Sequence, residues 1–392
     1  MAHNRGPEPN YSPWDAPTLP PGSGVNAAPP PPLIPETASM SPGDYPPPLP
    51  PLPPRRQAIR TRQFGRRGRI IRSALLALFL LALLGAALAG HRLWDFGSAI
   101  STQGPLTTQT GYMSGEGRVN VLVLGYGGGN HDGPNLTDTI MVVSLNLKDH
   151  STTMISVPRD LWVQVPPGSG EYAKLNTAYV NGLENGYNSI AAGPVAGGAE
   201  AARKVTEVTG LPINYWLTIN FSGFRALVDA LGGVDIDVPV GWTATNLGGD
   251  GLPGNGVATF KAGLQHMDGE RALQYARARY ITNPASEGTD FARAKRQQVL
   301  LRAIVDRARS PSAWPSLFGG LDALQQTIYS NLSLADLAAL MEKADINHAA
   351  QVGLTTQNVL VTGVTDDGQD ILEPVNGDWN AVQQYVEAHL KS

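Results

Sequence analysis

The segment NVLVLGYGGGNHDGPNLTDTIMVVSLNLKDHSTTMISVPRD, residues 120–160, decides the fold. It contains three apolar, β-branched runs, at 120–129, 137–147 and 152–158. Such runs predict buried strands. The first run ends in a glycine loop, and Lys148, Asp149 and His150 form the predicted turn between the other two.

Helices and strands alternate after this segment. Helices are predicted where apolar residues recur at helical spacing, and strands where they alternate. The predicted helices are 198–209, 221–231, 290–309 and 379–390, the predicted strands are 213–220 and 234–240, and residues 355–392 are predicted to hold a last strand, a turn and the terminal helix. This order predicts a layered α/β domain.

The N-terminal part predicts a membrane anchor. Residues 1–54 are mostly Pro, Gly, Ser and Ala, which predicts a disordered cytoplasmic tail. Residues 55–72 contain eight arginines and no acidic residue, and residues 73–90 are uncharged. We therefore predict a basic juxtamembrane segment at 55–72 and a transmembrane helix at 73–92. Arginines on one flank place that flank in the cytoplasm, so the rest is expected to be extracytoplasmic after a polar linker at 93–117.

Two other interpretations of this region were weighed. Ala87, Leu88 and Ala89 resemble a signal-peptidase site, but the preceding charged and Pro-rich leader is far longer than that of a secretory signal. The arginines could instead bind nucleic acid. Beside a membrane span, orientation and contact with anionic lipid explain them better, so no nucleic-acid partner is expected.

Composition limits the chemistry of the outer part. The 392 residues include no cysteine, which excludes disulfides, thiolate catalysis and cysteine-bound zinc. The chain carries 29 basic and 33 acidic residues, and residues 1–72 hold nine and four of them, so the remainder has a net charge of −9. Any phosphate site outside the membrane must therefore be a local cluster of arginines.

The glycine loop does not fit a nucleotide-binding motif. Gly125 and Gly127 are followed by Asn130 where a third glycine is required, and no Lys-Ser or Lys-Thr pair is present. A strand follows the loop, whereas a dinucleotide-binding loop opens a helix.

Several arginines stand in positions that suit a phosphate site. Arg159 follows a predicted strand, where α/β sheets place functional side chains. The others lie two apart in QYARARY or share a face of the helix that begins at Asp290: Arg277, Arg279, Arg293 and Arg296, with Gln297 beside them. Forked guanidinium donors match the oxygens of a diphosphate. The alternative, that each arginine pairs with a nearby carboxylate such as Asp160 or Asp290, stays open.

Two aspartates indicate a metal site. Asp132 and Asp138 flank the loop after the first strand. Hard carboxylate oxygens beside phosphates suit Mg²⁺, although solvated loop aspartates are common.

The chain resembles the LytR-CpsA-Psr family of envelope proteins. The resemblance covers about residues 120–310 and rests on seven blocks in order: NVLVLG, LTDTIMVVSLN, ISVPRDLWV, KLNTAY, GLPINYWLTINFSGFRALVDALGGVDIDV, LQHMDGERALQYARARY and DFARAKRQQ. It implies a three-layer α/β/α domain with a central mixed sheet, here residues 118–345, with residues 346–392 as a C-terminal extension.

The resemblance also implies a function. Family members are expected to move a glycopolymer from an undecaprenyl-pyrophosphate carrier to a peptidoglycan hydroxyl through a phosphodiester, with Mg²⁺ assisting and the prenyl chain in an apolar tunnel. Two alternatives remain: a pyrophosphatase that hydrolyses polyprenyl diphosphate, and a non-enzymatic wall-binding or regulatory membrane protein.

Site residues follow from the resemblance by motif. Asp138 matches the aspartate near magnesium, and Gly127 stands where many members have a second aspartate, so Asp132 is the substitute candidate ligand. The pyrophosphate-binding candidates are Arg159, Lys174, Arg277, Arg279, Arg293 and Gln297, and the catalytic candidates are Arg159, Asp160 and Asp290. Asp160 and Asp290 are the alternatives for a general base.

Overall fold

A computed structural model describes residues 64–101, 112–113, 117–129, 133–245, 256–281 and 283–390. The predicted tail at 1–54 lies outside the described residues, as do residues 55–63 of the basic segment, most of the predicted linker after Ser101, and Asp132.

Helices and strands alternate along the described residues, as predicted. The α-helices are α1 (Phe64–Ile100), α2 (Thr177–Asn185), α3 (Pro194–Thr209), α4 (Phe221–Ala230), α5 (Gly269–Arg277), α6 (Asp290–Arg309), α7 (Trp314–Leu324), α8 (Leu334–Lys343) and α9 (Trp379–Ala388). The strands are β1 (Arg118–Tyr126), β2 (Thr137–Asn146), β3 (Thr152–Ser156), β4 (Trp162–Gln164), β5 (Tyr172–Lys174), β6 (Tyr215–Asn220), β7 (Val234–Val238), β8 (Trp242–Thr245), β9 (Ala258–Phe260), β10 (Gly263–Met267), β11 (Tyr280–Ile281), β12 (Ile328–Ser330), β13 (Ala350–Gly353), β14 (Leu360–Val364) and β15 (Asp370–Pro374).

Six strands form the central sheet, in the order β12-β6-β1-β2-β3-β13. β1 is parallel to β6 and β3 is parallel to β13, whereas the other neighbouring pairs are antiparallel. The predicted mixed sheet is confirmed. β13 comes from the segment predicted as a C-terminal extension, so that segment supplies an edge strand of the main sheet.

Helices cover both faces of the sheet because its strands are apolar on both sides. On β1, Leu122 and Leu124 pack with α2, α3 and α9. Val121 points the other way, toward α8, while Leu217 of β6 packs with α4 and α7, and Met141 of β2 packs with α6. The predicted α/β/α layering is confirmed.

A second apolar cluster joins α5 and α6 to the small strands β7, β8 and β9. Its centre is aromatic: the ring of Trp242 lies 4.4 Å from that of Phe260 and 5.8 Å from that of Tyr275, measured between centroids. Tilted and offset aromatic pairs of this kind add to the free energy gained by burial. The cluster fixes the end of α5 relative to α6.

Helix α1 contains a stretch, Ala74–Ile100, that is long and apolar enough to cross a membrane, with a mean hydropathy of 2.2 over an 18-residue window. The predicted span at 73–92 lies within α1, but the helix continues through residues where a linker was expected. The reason is tertiary: Phe96 and Ile100, one turn apart, are buried against Leu321 of α7 and Ile328 of β12.

The C-terminal segment differs from the prediction in one respect. Residues 355–392 were expected to hold one strand, but β14 and β15 form an antiparallel hairpin before α9. Val361 and Val364 are exposed on this hairpin, so it lacks the apolar continuity that would have marked two buried strands.

Candidate functional site

An apolar cavity of about 430 Å³ lies between the sheet and helices α4, α5 and α6. Its walls are side chains from β1, β2, β6 and these three helices: Val123, Met141, Leu217, Ile219, Phe221, Phe224, Leu227, Leu273, Ala276, Leu300, Leu301 and Ile304. The volume is within the range of about 300–1,000 Å³ that is typical of small-molecule sites. A long hydrocarbon chain is the kind of ligand that such walls favour.

Four arginines line the same cavity and come from three places in the chain. Arg159 follows β3, Arg277 ends α5, Arg279 comes two residues later, and Arg293 lies in the first turn of α6. Gln297, one turn further along α6, joins them. The sequence-predicted cluster is therefore brought together, with apolar walls beyond it.

Asp138 reaches the cavity through an irregularity in the sheet. Gly125 of β1 pairs with Thr139, but the next residue, Tyr126, pairs with Thr137, so Asp138 is an extra residue in a β-bulge. A bulge redirects a side chain that strand alternation would point elsewhere. The Asp138 carboxylate accepts a hydrogen bond from Nη1 of Arg159 within an ion pair.

Positive charge exceeds negative charge among the described lining residues, with four guanidiniums against the one carboxylate of Asp138. The pKa of Arg277 is lowered to about 10, chiefly by burial; Asp138 raises it, and the neighbouring cations Arg279 and Arg225 contribute to the lowering. Burial likewise lowers the pKa of Arg293 to about 10. Both shifts mean that these surroundings disfavour the charge, so an anionic ligand would relieve them.

Arg159 behaves differently. Burial by itself would lower its pKa, but the charges of Asp138 and Asp160 outweigh that effect and the pKa is raised. The Nε of Arg159 lies 3.4 Å from Oδ2 of Asp160, and Oδ1 of Asp160 lies 3.4 Å from Nζ of Lys174. Arg159 is thus held on two sides, as a preorganised donor requires.

A second hollow of about 420 Å³, the hairpin cavity, adjoins the first and shares Arg159 with it. The hairpin of β4 and β5 forms much of it, and its lining includes Arg159, Asp160, Trp162, Tyr172, Lys174 and Gln369. Asp160 and Lys174 therefore lie beside the arginine cluster but line a different cavity.

The chain matches one protein-family model. The model described as the LytR_cpsA_psr family matches residues 97–387, a range that runs from the end of α1 to the penultimate residue of α9. The chain belongs to the LytR-CpsA-Psr family. The resemblance stated from the sequence blocks is confirmed, and the match begins at the buried end of α1.

Named relatives are teichoic acid transferases. The chain is 27% identical over 339 residues to "Polyisoprenyl-teichoic acid--peptidoglycan teichoic acid transferase TagU" of Enterococcus faecalis, covering 83% of this chain and 99% of the relative. It is 30% identical to the protein of the same name from Bacillus mycoides, over 57% of this chain and 64% of the relative. The crystal structure of TagV from Bacillus subtilis superposes with a TM-score of 0.52 at 24% identity, covering 70% of this chain and 98% of TagV, which supports the fold.

One predicted site residue, Asp290, and one arginine of the initially noted group, Arg296, line neither cavity of this LytR-CpsA-Psr domain. The side chain of Asp290 is 84% exposed and its Oδ1 lies 2.7 Å from Nη1 of Arg293, so it positions that arginine. Arg296 is buried and donates to backbone oxygens of Tyr275 and Glu287, at 3.2 and 2.7 Å. Arg296, which the resemblance did not place among the pyrophosphate-binding candidates, therefore binds backbone carbonyl groups and does not line the arginine-lined cavity.

Several lining residues were missed by sequence reasoning. Phe221 begins α4, and the Cζ atom of Arg277 lies 4.2 Å from its ring centroid, a cation-π contact. Its neighbour Asn220 caps the helix by accepting a hydrogen bond from the backbone N of Gly223 at 2.8 Å. Asn is a preferred N-cap residue, so Asn220 in the sequence indicates that a helix begins at Phe221. Nothing local in the sequence marks Thr139 or Tyr280, which also line the apolar cavity.

Asp138 is the one predicted metal ligand among the described residues. They contain no group of three or more His, Cys, Asp or Glu side chains that could hold a metal ion. Asp138 is present and Asp132 lies outside the described residues. Mg²⁺ commonly binds one or two carboxylates together with substrate phosphates. Asp138 fits such a site only when phosphate oxygens of a bound ligand complete it.

Proposed function

We propose that this protein is a phosphotransferase that moves a glycopolymer from an undecaprenyl-pyrophosphate carrier to a peptidoglycan hydroxyl in cell wall assembly. The observation that carries the proposal is an apolar cavity lined by four arginines. Such a site matches a ligand with a hydrocarbon chain and a diphosphate head. The names of the relatives from Enterococcus faecalis and Bacillus mycoides support the same donor and acceptor classes.

The reaction is a phosphoryl transfer between two oxygens. The acceptor hydroxyl oxygen bonds to the phosphorus that carries the glycopolymer, the bond from that phosphorus to the bridging oxygen breaks, and polyprenyl phosphate leaves. The hydroxyl proton passes to a base. Catalysis of such transfers is mainly positioning and stabilisation of charge on the phosphoryl oxygens, which Arg159, Arg277 and Arg293 supply.

Asp160 is the better of the two candidate bases. It lines the hairpin cavity next to Arg159, whereas Asp290 is solvent-exposed and engaged with Arg293. A base must come within hydrogen-bond reach of the attacking hydroxyl, so its position beside a phosphate-binding arginine favours Asp160.

The proposed carrier is a membrane lipid, so a membrane anchor would keep the enzyme close to it. We propose that α1 spans the membrane once, with the arginine-rich flank in the cytoplasm and the family domain outside. Anchoring confines enzyme and carrier to the same surface.

We propose Mg²⁺ as a cofactor that Asp138 holds together with the phosphate oxygens of the bound substrate, where it would offset phosphate charge.

We expect weak Mg²⁺ binding to the protein alone and tighter binding once a short polyprenyl diphosphate is present, measured by titration calorimetry. Asp138→Asn should lose this increment but bind the diphosphate at least as well without metal, because a negative charge is removed. Equal Mg²⁺ affinity with and without the diphosphate would contradict the proposal.

The function is tested by transfer assays on the full chain in lipid nanodiscs, with a polyprenyl-diphosphate-linked glycopolymer and peptidoglycan. Arg277→Ala should lower transfer about 10- to 100-fold, the cost of losing a charge-assisted hydrogen bond. Arg203→Ala is the matched control, because its side chain is 59% exposed and pairs with Glu207 on α3. Inorganic phosphate release without acceptor would favour a pyrophosphatase, and binding without any turnover would favour a wall-binding protein.

A further inference from the structure

The hairpin cavity has a chemistry that diphosphate binding does not explain. In the β4–β5 pairing, Trp162 lies opposite Lys174 and Gln164 lies opposite Tyr172. Strand alternation turns Val163 into the core, where it is 4% exposed, and leaves these four side chains on the outer face. The hairpin therefore presents two aromatic rings, an amide and a cation together.

The two aromatic rings form an accessible platform. The planes of Trp162 and Tyr172 are within 26° of parallel, with centroids 6.4 Å apart. The Tyr172 side chain is 54% exposed even though its ring stacks on that of Trp162. Its Oη accepts a hydrogen bond from Nε2 of Gln164 at 3.3 Å, which fixes the ring while leaving a face open. Apolar rings with polar edges suit ligands that have both kinds of surface.

Polar groups surround this platform. Asp160 lies between Arg159 and Lys174 at 3.4 Å from each, and Gln369 reaches the cavity from the turn between β14 and β15. A carboxylate accepts hydrogen bonds from hydroxyl and acetamido N–H groups, and an amide both donates to and accepts from such groups. Apolar C–H faces flanked by such groups are characteristic of pyranose sugars.

We propose that the hairpin cavity binds a sugar ring of the acceptor glycan, an inference that rests on the proposed transferase function. Arg159 lines both cavities, so a sugar bound here lies next to the diphosphate. Asp160 faces the same space and can accept the proton of a sugar hydroxyl. The donor glycan is the competing source of a sugar, because it is attached to the phosphate that Arg159 contacts.

The first test needs no transfer. A soluble oligosaccharide of alternating N-acetylglucosamine and N-acetylmuramic acid is titrated into the full chain in nanodiscs by calorimetry. Tyr172→Ala should weaken its binding about five- to tenfold, while Tyr172→Phe, which keeps the ring, should stay close to the unchanged protein. Trp314→Ala is the control, since Trp314 is an exposed aromatic on α7 outside both cavities.

The second test separates acceptor from donor in the transfer assay. Tyr172→Ala and Gln369→Ala should each raise the KM for peptidoglycan about five- to tenfold and leave the KM for the lipid-linked donor unchanged. A rise in the donor KM instead would overturn the acceptor assignment, and so would unchanged values of both constants. Absence of transfer by the unchanged protein would defeat the proposed function, whereas failure of the oligosaccharide to bind would defeat the sugar site itself.

Discussion

Arg277 and Arg293 are charged residues in surroundings that disfavour their charge. Burial is the main cause of both lowered pKa values, and nearby guanidiniums add to it. A guanidinium whose pKa is lower in the folded than in the unfolded state makes folding less favourable at pH 7, where both states are charged. The surroundings of these two arginines are therefore electrostatically unfavourable, and the proposed diphosphate ligand would offset that cost. Sites arranged for function often cost stability in this way.

Replacing Arg293 tests whether this charge lowers the stability of the ligand-free protein while it supports anion binding. Its side chain is 14% exposed, and methionine has a similar length without the charge. We expect Arg293→Met to raise the melting temperature of the ligand-free protein and to lose most of the stabilisation that a short polyprenyl diphosphate gives. Differential scanning fluorimetry with and without ligand measures both effects. A variant that is less stable yet still fully stabilised by the ligand would contradict the assignment of Arg293 to the anion site.

Helical geometry explains which residues of α6 line the apolar cavity. Successive residues turn by about 100°, so Gln297 lies about 40° from Arg293 on α6 while Arg296 lies about 60° away on the other side. Arg293 and Gln297 line the apolar cavity, whereas Arg296 lies over the ring of Trp242 in the aromatic cluster. Spacing alone could not show which side faced the cavity. Their roles in binding and catalysis stay predictions.

Arg277 ends α5 and Arg279 follows it by two residues. At this end of a helix, the last carbonyl groups have no hydrogen-bond donor within the helix. The Arg296 guanidinium of α6 donates hydrogen bonds to two carbonyl oxygens at this end, those of Tyr275 at 3.2 Å and Ala278 at 2.5 Å. The same guanidinium lies 3.3 Å from Oε2 of Glu287. One buried side chain therefore ties α5, α6 and the turn before α6 together.

We expect Arg296→Met to lower the free energy of unfolding by about 3–5 kcal/mol, because it leaves buried carbonyls without donors and Glu287 without its partner. Diphosphate binding should weaken as well, since Arg277 and Arg279 lose their fixed position. Urea unfolding and ligand titration measure the two effects. Lys295→Met is the matched control, because Lys295 is exposed on the preceding position of the same helix. Equal stability of the two variants would contradict the role of Arg296 in connecting α5, α6 and the turn before α6.

Elements were predictable where local signals coincide. α6 has the predicted bounds, because Thr289 caps it and accepts a hydrogen bond from Ala292 N at 3.1 Å while apolar residues recur along it. The end of α1 was not predictable, since a polar Gly- and Ser-containing segment stays helical only through contacts with α7 and β12. The β-bulge at Asp138 likewise depends on pairing with β1.

At the scale of the whole molecule, the end of α1 packs against the wall of the apolar cavity. Phe96 and Ile100 share one cluster with Leu217, Ile219 and Leu227. The last three also line the cavity. Arg92 adds an ion pair to Asp322 of α7 at 3.7 Å. The C-terminal end of α1 is therefore part of the domain, and its position is coupled to the cavity through shared side chains.

Truncating Phe96 tests this coupling in the full chain. Phe96 is 8% exposed, so Phe96→Ala should cost about 3 kcal/mol of domain stability through lost burial and a cavity beside Ile328. Hydrogen exchange should rise in α7 and β12, and affinity for a short polyprenyl diphosphate should fall because the walls formed by Leu217 and Leu227 loosen. Trp94→Ala is the control, as that side chain is 53% exposed on the same helix. If α1 were only a tether, both variants would melt at the same temperature and bind the diphosphate equally.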